Sequence, residues 1–289
     1  MKRLVLMVSV LLLISSTLTG CSESALYSEN ELYEVHDVID YVVEKQLEYS
    51  KVVEDSLTAR LGEKLTEDMD FVDYLSTRNY DPDKPFVALT FDDGPKTETT
   101  NEILDILEAN DAKATFFVLG QNVGENTKPV LQRMVSMACE IGNHSWDHQY
   151  QLTQLDSEGI HDQIDRTNDQ IMDYSGRRCR LIRPPYGSVD ENVSANVSQP
   201  MIFWDIDSLD WKTRDAEKTV SMIKENIHDG AIILMHDIHP ETVEACRTLI
   251  PDLVSEGYQL VTVSEMAYMK GITLEAGKRY YSMVVDADS

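Results

Sequence analysis

The chain is short of cysteine and of positive charge, and it has no hydrophobic run long enough to cross a membrane. Four cysteines among 289 residues, at positions 21, 139, 179 and 246, include no metal-type spacing, which excludes a thiolate zinc site. Lysine and arginine number 25 against 51 aspartates and glutamates, a formal net charge of −26. A nucleic-acid partner is thereby excluded, because phosphate binding needs clustered Lys and Arg. The imbalance reads instead as a strongly acidic surface. The longest apolar run, Leu4 to Ile14, is too short for a membrane span.

That run has the length of a signal-peptide core, and Lys2 and Arg3 precede it. Leu18-Thr19-Gly20-Cys21 behind it resembles a bacterial lipobox. The resemblance implies that residues 1–20 are removed and that a lipidated Cys21 holds the protein on the outer face of the cell membrane. Cys139, Cys179 and Cys246 then remain, an odd number in an exported chain. Buried free thiols are the default reading, with a Cys139–Cys179 disulfide left open.

Residues 31–57 carry Leu32, Val35, Ile39, Val42, Tyr49 and Val53 on a three-four alternation that Gln46 interrupts. This predicts a helix that packs on a following domain or spaces it from the membrane, in preference to a dimer seam. Asp81-Pro82-Asp83-Lys84-Pro85 marks a boundary. The expected organisation is a lipoprotein signal peptide at 1–20, a lipidated N-terminus and helical spacer at 21–81, a catalytic domain at 82–270 and a tail at 271–289.

From Phe86 onward short apolar runs alternate with amphipathic ones. Strands are predicted at 86–91, 114–119, 140–142, 181–183, 201–205, 231–235 and 259–262, and helices at 99–108, 130–137, 160–174, 216–227 and 243–254. Strand followed by helix, repeated, means a parallel sheet. Seven such units in this length predict an α/β barrel smaller than the eight-unit form, with its chemistry at the C-terminal strand ends.

The chemistry-bearing residues fall at those ends. Asp92-Asp93 closes the first strand ahead of the turn Gly94-Pro95, and fifty-one residues after Asp93 comes His144-Ser145-Trp146-Asp147-His148. Two adjacent carboxylates at the mouth of a buried strand repel each other unless a cation offsets their charge. Histidines at i and i+4 can reach one ion if the backbone takes a helical turn. Two imidazoles and one carboxylate make three ligands, the number that leaves a metal open for hydrolysis. His36, His161 and His228 fall in helical patterns, and His239 reads as a loop residue.

Five segments in order, Thr90-Phe91-Asp92-Asp93-Gly94-Pro95, His144-Ser145-Trp146-Asp147-His148, Arg183-Pro184-Pro185-Tyr186-Gly187, Asp207-Ser208-Leu209-Asp210-Trp211 and Leu234-Met235-His236-Asp237, resemble the polysaccharide deacetylases of carbohydrate esterase family 4. The match spans about residues 84–270 of this NodB homology domain. The resemblance implies a distorted (β/α)7 barrel, here with an N-terminal helical extension. It implies that Asp93, His144 and His148 bind a divalent metal, Zn²⁺ first, with Co²⁺, Ni²⁺ or Mn²⁺ suited to the same donors. Asp92 is then the general base, Arg183 orients it, Tyr186 offers a backbone N–H to the oxyanion, His236 is the general acid and Asp210 holds it cationic. Leu234 and Trp211 would wall the acetyl pocket, while Asp207 is either a supporting or a catalytic residue.

The implied substrate is a polysaccharide bearing N-acetyl groups. An exported, membrane-held enzyme points to peptidoglycan or another surface glycan of N-acetylglucosamine. The alternatives are an O-acetyl esterase of the xylan type and a catalytically silent glycan-binding lipoprotein. The second leaves unexplained why a base, a metal set and an acid should coexist.

Overall fold

A run such as Phe86 to Phe91, apolar but for Thr90, has to be covered on both faces. The computed structural model, which describes residues 80–284, buries all seven residues of that strand at the centre of a parallel sheet. In chain order the elements are β1 (Phe86–Asp92), α1 (Thr97–Ala109), β2 (Thr115–Val118), α2 (Lys128–Ser136), β3 (Glu140–Asn143), α3 (Ser157–Ser175), α4 (Glu191–Asn196), β4 (Met201–Ile202), β5 (Ile206–Asp207), α5 (Asp210–Thr213), α6 (Ala216–Asn226), β6 (Ala231–His236), α7 (Pro240–Ser255), β7 (Gln259–Leu260), α8 (Val263–Met269) and β8 (Arg279–Tyr280).

The strands run in the order β3-β2-β1-β6-β5, all pairs parallel, with β7 against the start of β1. β4 and β8 make a second parallel pair. Ile182 links the two by bridging Asn143 on one side and Met201 on the other. The result is the α/β architecture of a distorted (β/α)7 barrel, in which every strand delivers its C-terminal end to one rim.

Helix packing follows the apolar stripes. Leu104 and Leu107 of α1 and Leu249 and Leu253 of α7 are buried with Val87, Leu89 and Phe91 on one side of β1. Phe86 and Ala88, which point the other way, pack with Phe117, Ile232, Val261, Met266 and Met283. Each of these side chains larger than alanine contributes about 1.5–3 kcal/mol when removed from water. The helices start where the sequence allows: Asp156 caps α3 through Gly159 N–H, and Thr262 with Glu265 forms a capping box on α8. Glu265 also accepts from Tyr80 Oη at 2.6 Å, which ties the entering chain to the domain.

Three features depart from the sequence expectation. The strand expected at 181–183 contracts to one bridging residue, because the chain turns away at Pro184 and Pro185 into a 3-10 turn, Pro185–Gly187. The strand expected at 201–205 is shortened to β4, and the chain pairs again only beyond the expected end, as β5. The segment beyond 270, expected as a tail outside the domain, carries β8, and Met283 is fully buried with its N–H on Gly230 O at 2.8 Å. Gly230 has φ 89°, and a Cβ there would collide with the Met283 carbonyl. Met283→Ala is accordingly expected to cost about 2–5 kcal/mol in urea unfolding; a change within 0.5 kcal/mol, roughly the spread of a surface substitution, would show that this segment does not hold the core.

Cys139, Cys179 and Cys246 are free and buried. Among the described residues no helix is long and apolar enough to cross a membrane. The signal peptide, Cys21 and the helix expected at 31–57 lie outside the described residues.

Candidate active site

Parallel register sets the site. Asp92, the last residue of β1, stands opposite His236, the last residue of β6. His144 leaves the end of β3, Arg183 follows the Ile182 bridge, and Asp207 ends β5. The loops that leave these strands turn sharply. Asp93, Ser145, His148, Tyr186 and Leu209 all have φ between 55° and 76°, a region that disfavours side chains bearing a Cβ. Each such residue costs about 1–3 kcal/mol, and strain of this kind persists where the surroundings over-determine it. Five of the eight non-glycine residues with positive φ among the described residues fall in these motif loops, which makes this rim the candidate site.

Asp93, His144 and His148 place ligand atoms within 4.8 Å of one another. The two histidines do not use a helical turn. Ser145 and His148 are both left-handed, and the loop folds back to bring the rings to 4.9 Å between centroids. Asn143 Oδ1 braces the loop by accepting Ser145 N–H at 2.7 Å. His144 Nδ1 lies 2.7 Å from Arg183 O, a carbonyl that can only accept, so the proton sits on Nδ1 and the Nε2 lone pair is free. That Nε2 is 3.6 Å from both Asp92 Oδ2 and Asp93 Oδ1. Burial pushes the His144 pKa down to about 3 against the opposing Asp93 charge, so the ring is neutral. Asp93 Oδ1 is buried with no hydrogen-bond partner. A neutral imidazole, a second imidazole and an orphaned carboxylate oxygen form a donor set that fits a divalent cation.

Arg183 has no exposed surface and spends its donors on a fixed pattern. Nη1 donates to Asp92 Oδ1 at 2.7 Å and Thr90 Oγ1 at 2.8 Å, Nε to Ile202 O at 3.1 Å and Nη2 to Phe203 O at 2.9 Å. Its plane covers the Phe117 ring at 4.3 Å. Burial raises the Asp92 carboxyl above its ordinary value, against the pull of the Arg183 charge and hydrogen bond.

Asp210 is the opposite anchor. Oδ1 meets His236 Nδ1 at 2.8 Å and Trp211 N–H at 2.7 Å, while Oδ2 accepts from His236 N–H at 2.8 Å and Thr242 Oγ1 at 2.7 Å. Burial alone would lower the His236 pKa, but the Asp210 hydrogen bond and charge, with Asp92 and Asp93, raise it to about 9. His236 is therefore a cation at neutral pH.

Tyr186 is 57% exposed, with its ring 4.3 Å from that of His148 and its hydroxyl on His148 O at 3.0 Å. The hydrogen bonds of its turn run from Gly187 N to Pro184 O and from Ser188 N to Pro185 O, so Tyr186 N–H takes no part in them. Leu234 is buried two residues before His236 on the same face of β6, whereas Trp211 is 47% exposed. Asp207 supports the loop: its Oδ1 accepts Leu209 N–H at 2.9 Å and the Trp211 indole at 3.4 Å. His239 stands at the N-cap of α7 with its ring 6.0 Å from His236, and burial pushes it down to about 4.

Sequence reasoning missed Thr90, Thr242, Asn122 and Asp237. Thr90 passes the hydrogen from its own hydroxyl to Ile233 O at 2.6 Å while accepting from Arg183. Its place in the Thr90-Phe91-Asp92-Asp93 segment was the one signal available. Thr242 lies on α7, thirty-two residues from Asp210, and nothing in the sequence joins them.

The rim of this parallel α/β barrel joins an Asp–His–His cluster able to hold a metal ion to a buried carboxylate held by Arg183 and a half-buried imidazole held by Asp210, an arrangement suited to hydrolysis. Residues 79–200 match the family model described as polysaccharide deacetylase. The peptidoglycan-N-acetylglucosamine deacetylase PgdA of Listeria monocytogenes is 40% identical over 195 residues, covering 68% of this chain and 41% of PgdA. The peptidoglycan-N-acetylmuramic acid deacetylase PdaC of Bacillus subtilis is 42% identical over 190 residues, covering 66% of this chain and 40% of PdaC. A family 4 acetyl xylan esterase from Clostridium thermocellum, solved with a cobalt ion, superposes with a TM-score of 0.66 at 35% identity, covering 69% of this chain and all of that one. The chain belongs to the polysaccharide deacetylase family, carbohydrate esterase family 4. It spans about two fifths of the length of the two curated relatives.

Proposed function

We propose that the chain is a metal-dependent deacetylase that hydrolyses N-acetyl groups of a cell-surface polysaccharide, foremost N-acetylglucosamine units of peptidoglycan, and releases acetate. The observation that carries this reading is the meeting of the Arg183–Asp92 and Asp210–His236 pairs at adjacent strand ends beside Asp93, His144 and His148.

Asp93, His144 and His148 would hold the cation, Zn²⁺ first, with Co²⁺, Ni²⁺ or Mn²⁺ suited to the same donors. When bound, it supplies Lewis acidity toward the acetyl carbonyl and the attacking water. Arg183 occupies Asp92 Oδ1, which leaves Oδ2, the oxygen nearer His144, to take the proton from water. Tyr186 N–H donates to the developing oxyanion. His236 is tied to Asp210 through Nδ1, so Nε2 delivers the proton that lets the amine leave. Leu234 and Trp211 flank the methyl group. The deacetylase domain in this reading runs from residue 82 through the expected end at 270 to the core-packed segment around Met283, and lipidated Cys21, behind a signal peptide at 1–20 and ahead of a spacer at 21–81, tethers it beside the cell wall. PgdA and PdaC, whose names specify peptidoglycan, support that choice of glycan.

Acetate release from peptidoglycan, from N-acetylglucosamine oligomers and from acetylated xylan tests the substrate class. Release from the first two at the higher kcat/KM is expected. Release from xylan alone would make the chain an O-acetyl esterase, and release from none with zinc bound would make it a glycan-binding protein.

A further inference from the structure

Asp237 follows His236 in the chain but plays no part in the acid–base pairs. It is fully buried; its Oδ2 accepts from Thr100 Oγ1, and its Oδ1 has no hydrogen-bond partner. Both oxygens lie where a side chain on residue 94 would begin, so that a Cβ built on Gly94 would overlap the carboxylate. The space that glycine leaves empty is the space Asp237 fills, directly behind Asp93.

The same turn is gripped from three other directions. Asn122 Nδ2 donates to Asp93 O at 2.8 Å, Leu119 N–H donates to Gly94 O at 2.9 Å, and Lys96 N–H donates to Thr100 Oγ1 at 2.9 Å. Thr100 is a relay: it accepts from the backbone just past the turn and gives its own proton to Asp237. Within this clamp Asp93 has φ 74°. A buried carboxylate with one oxygen unpartnered works against stability. Its presence needs another reason, and a strained residue persists only where neighbours hold it.

We propose that Asp237 is a positioning residue: through Gly94 and Thr100 it holds Asp93 in the left-handed conformation that aims the Asp93 carboxylate at the position shared with His144 and His148. The inference rests on the proposed ligand role of Asp93.

Zinc affinity of the purified chain, read by competition with a chromogenic chelator, tests it alongside thermal melting of the metal-free protein. Asp237→Ala is expected to weaken zinc binding about 10–100-fold, the usual effect of losing a residue that orients a ligand, without lowering the metal-free melting temperature. Thr100→Val should weaken zinc in the same sense by breaking the relay, and Thr100→Ser should restore it. Unchanged zinc affinity in both Asp237→Ala and Thr100→Val would overturn the proposal. So would a metal-free melting temperature that falls in both while Asp237→Asn, which keeps the shape, recovers stability and affinity together, because that is the signature of packing alone. Zinc bound as tightly by Asp93→Asn as by the unaltered chain would instead remove the ligand reading, and this inference with it.

Discussion

Asp92→Asn is expected to lower kcat for acetate release by about 10²–10⁴-fold, the usual worth of a positioned general base, while zinc still binds at one ion per chain. The amide keeps the size of the carboxyl and an oxygen for Arg183 Nη1, so the guanidinium retains its bonds to Thr90, Ile202 and Phe203. What it loses is the oxygen facing His144, the one able to take a proton. In the unaltered enzyme activity should rise with pH as Asp92 ionises; burial holds that carboxyl above its ordinary value in the metal-free protein, and a bound dication favours the ionised form. Isotopic kinetics and metal analysis on the same preparation check both parts. Retained turnover in Asp92→Asn would transfer the base to another residue.

His236→Ala is expected to lose about 10²–10⁴-fold on an N-acetyl substrate and far less on an activated acetyl ester, because an amine needs a proton to leave and a phenolate does not. Equal losses on the two would sink the general-acid role. The pH profile carries the second half of the argument. His236 must be protonated to act, so activity should fall as pH rises through about 9. Asp210→Asn removes the charge that holds the proton and should move that alkaline limb down, toward the ordinary histidine value of about 6.5. Stability follows the same sign. A pKa raised in the folded state stabilises fully below about 6.5, and that contribution is lost as pH climbs through about 9. Asp210→Asn should flatten this dependence in denaturant melts taken between those limits; an unchanged slope would separate His236 from Asp210.

Much of this site could be read along the chain because its members end strands or sit in short motifs. β1 and β6 are long and apolar, so their extents follow from patterning to within a residue, whereas their pairing and the register of Asp92 against His236 emerge only in the fold. The short strands were less legible. Residues 181–183 have strand composition, but Pro184 and Pro185 remove the following donors, and Ile182 remains as a single bridge. β8 has two residues and exists because β4 offers it partners, with Phe203 N–H on Tyr280 O at 2.7 Å. Nothing local marks it.

The histidine pair is the instructive case. Its spacing fits one face of a helix, yet the rings converge through left-handed residues in a loop, so the two histidines do come together, by a geometry other than the one the spacing predicts. Thr90, Thr242, Asn122 and Asp237 illustrate the remaining gap. Each is bonded to a neighbour that is remote in sequence; Thr90 and Asp237 lie inside motif segments that do not reveal their partners, and Thr242 in its helix and Asn122 in its loop carry no mark at all until the partners are folded together.

The most direct measurement is acetate release from N-acetylglucosamine oligomers by the purified chain, stripped of metal and then restored with stoichiometric zinc, beside Asp92→Asn treated in the same way. Release that is absent after stripping, returns with one zinc per chain and stays absent in the variant is the result this account requires; release that survives metal removal, or that zinc restores equally in Asp92→Asn, would contradict it.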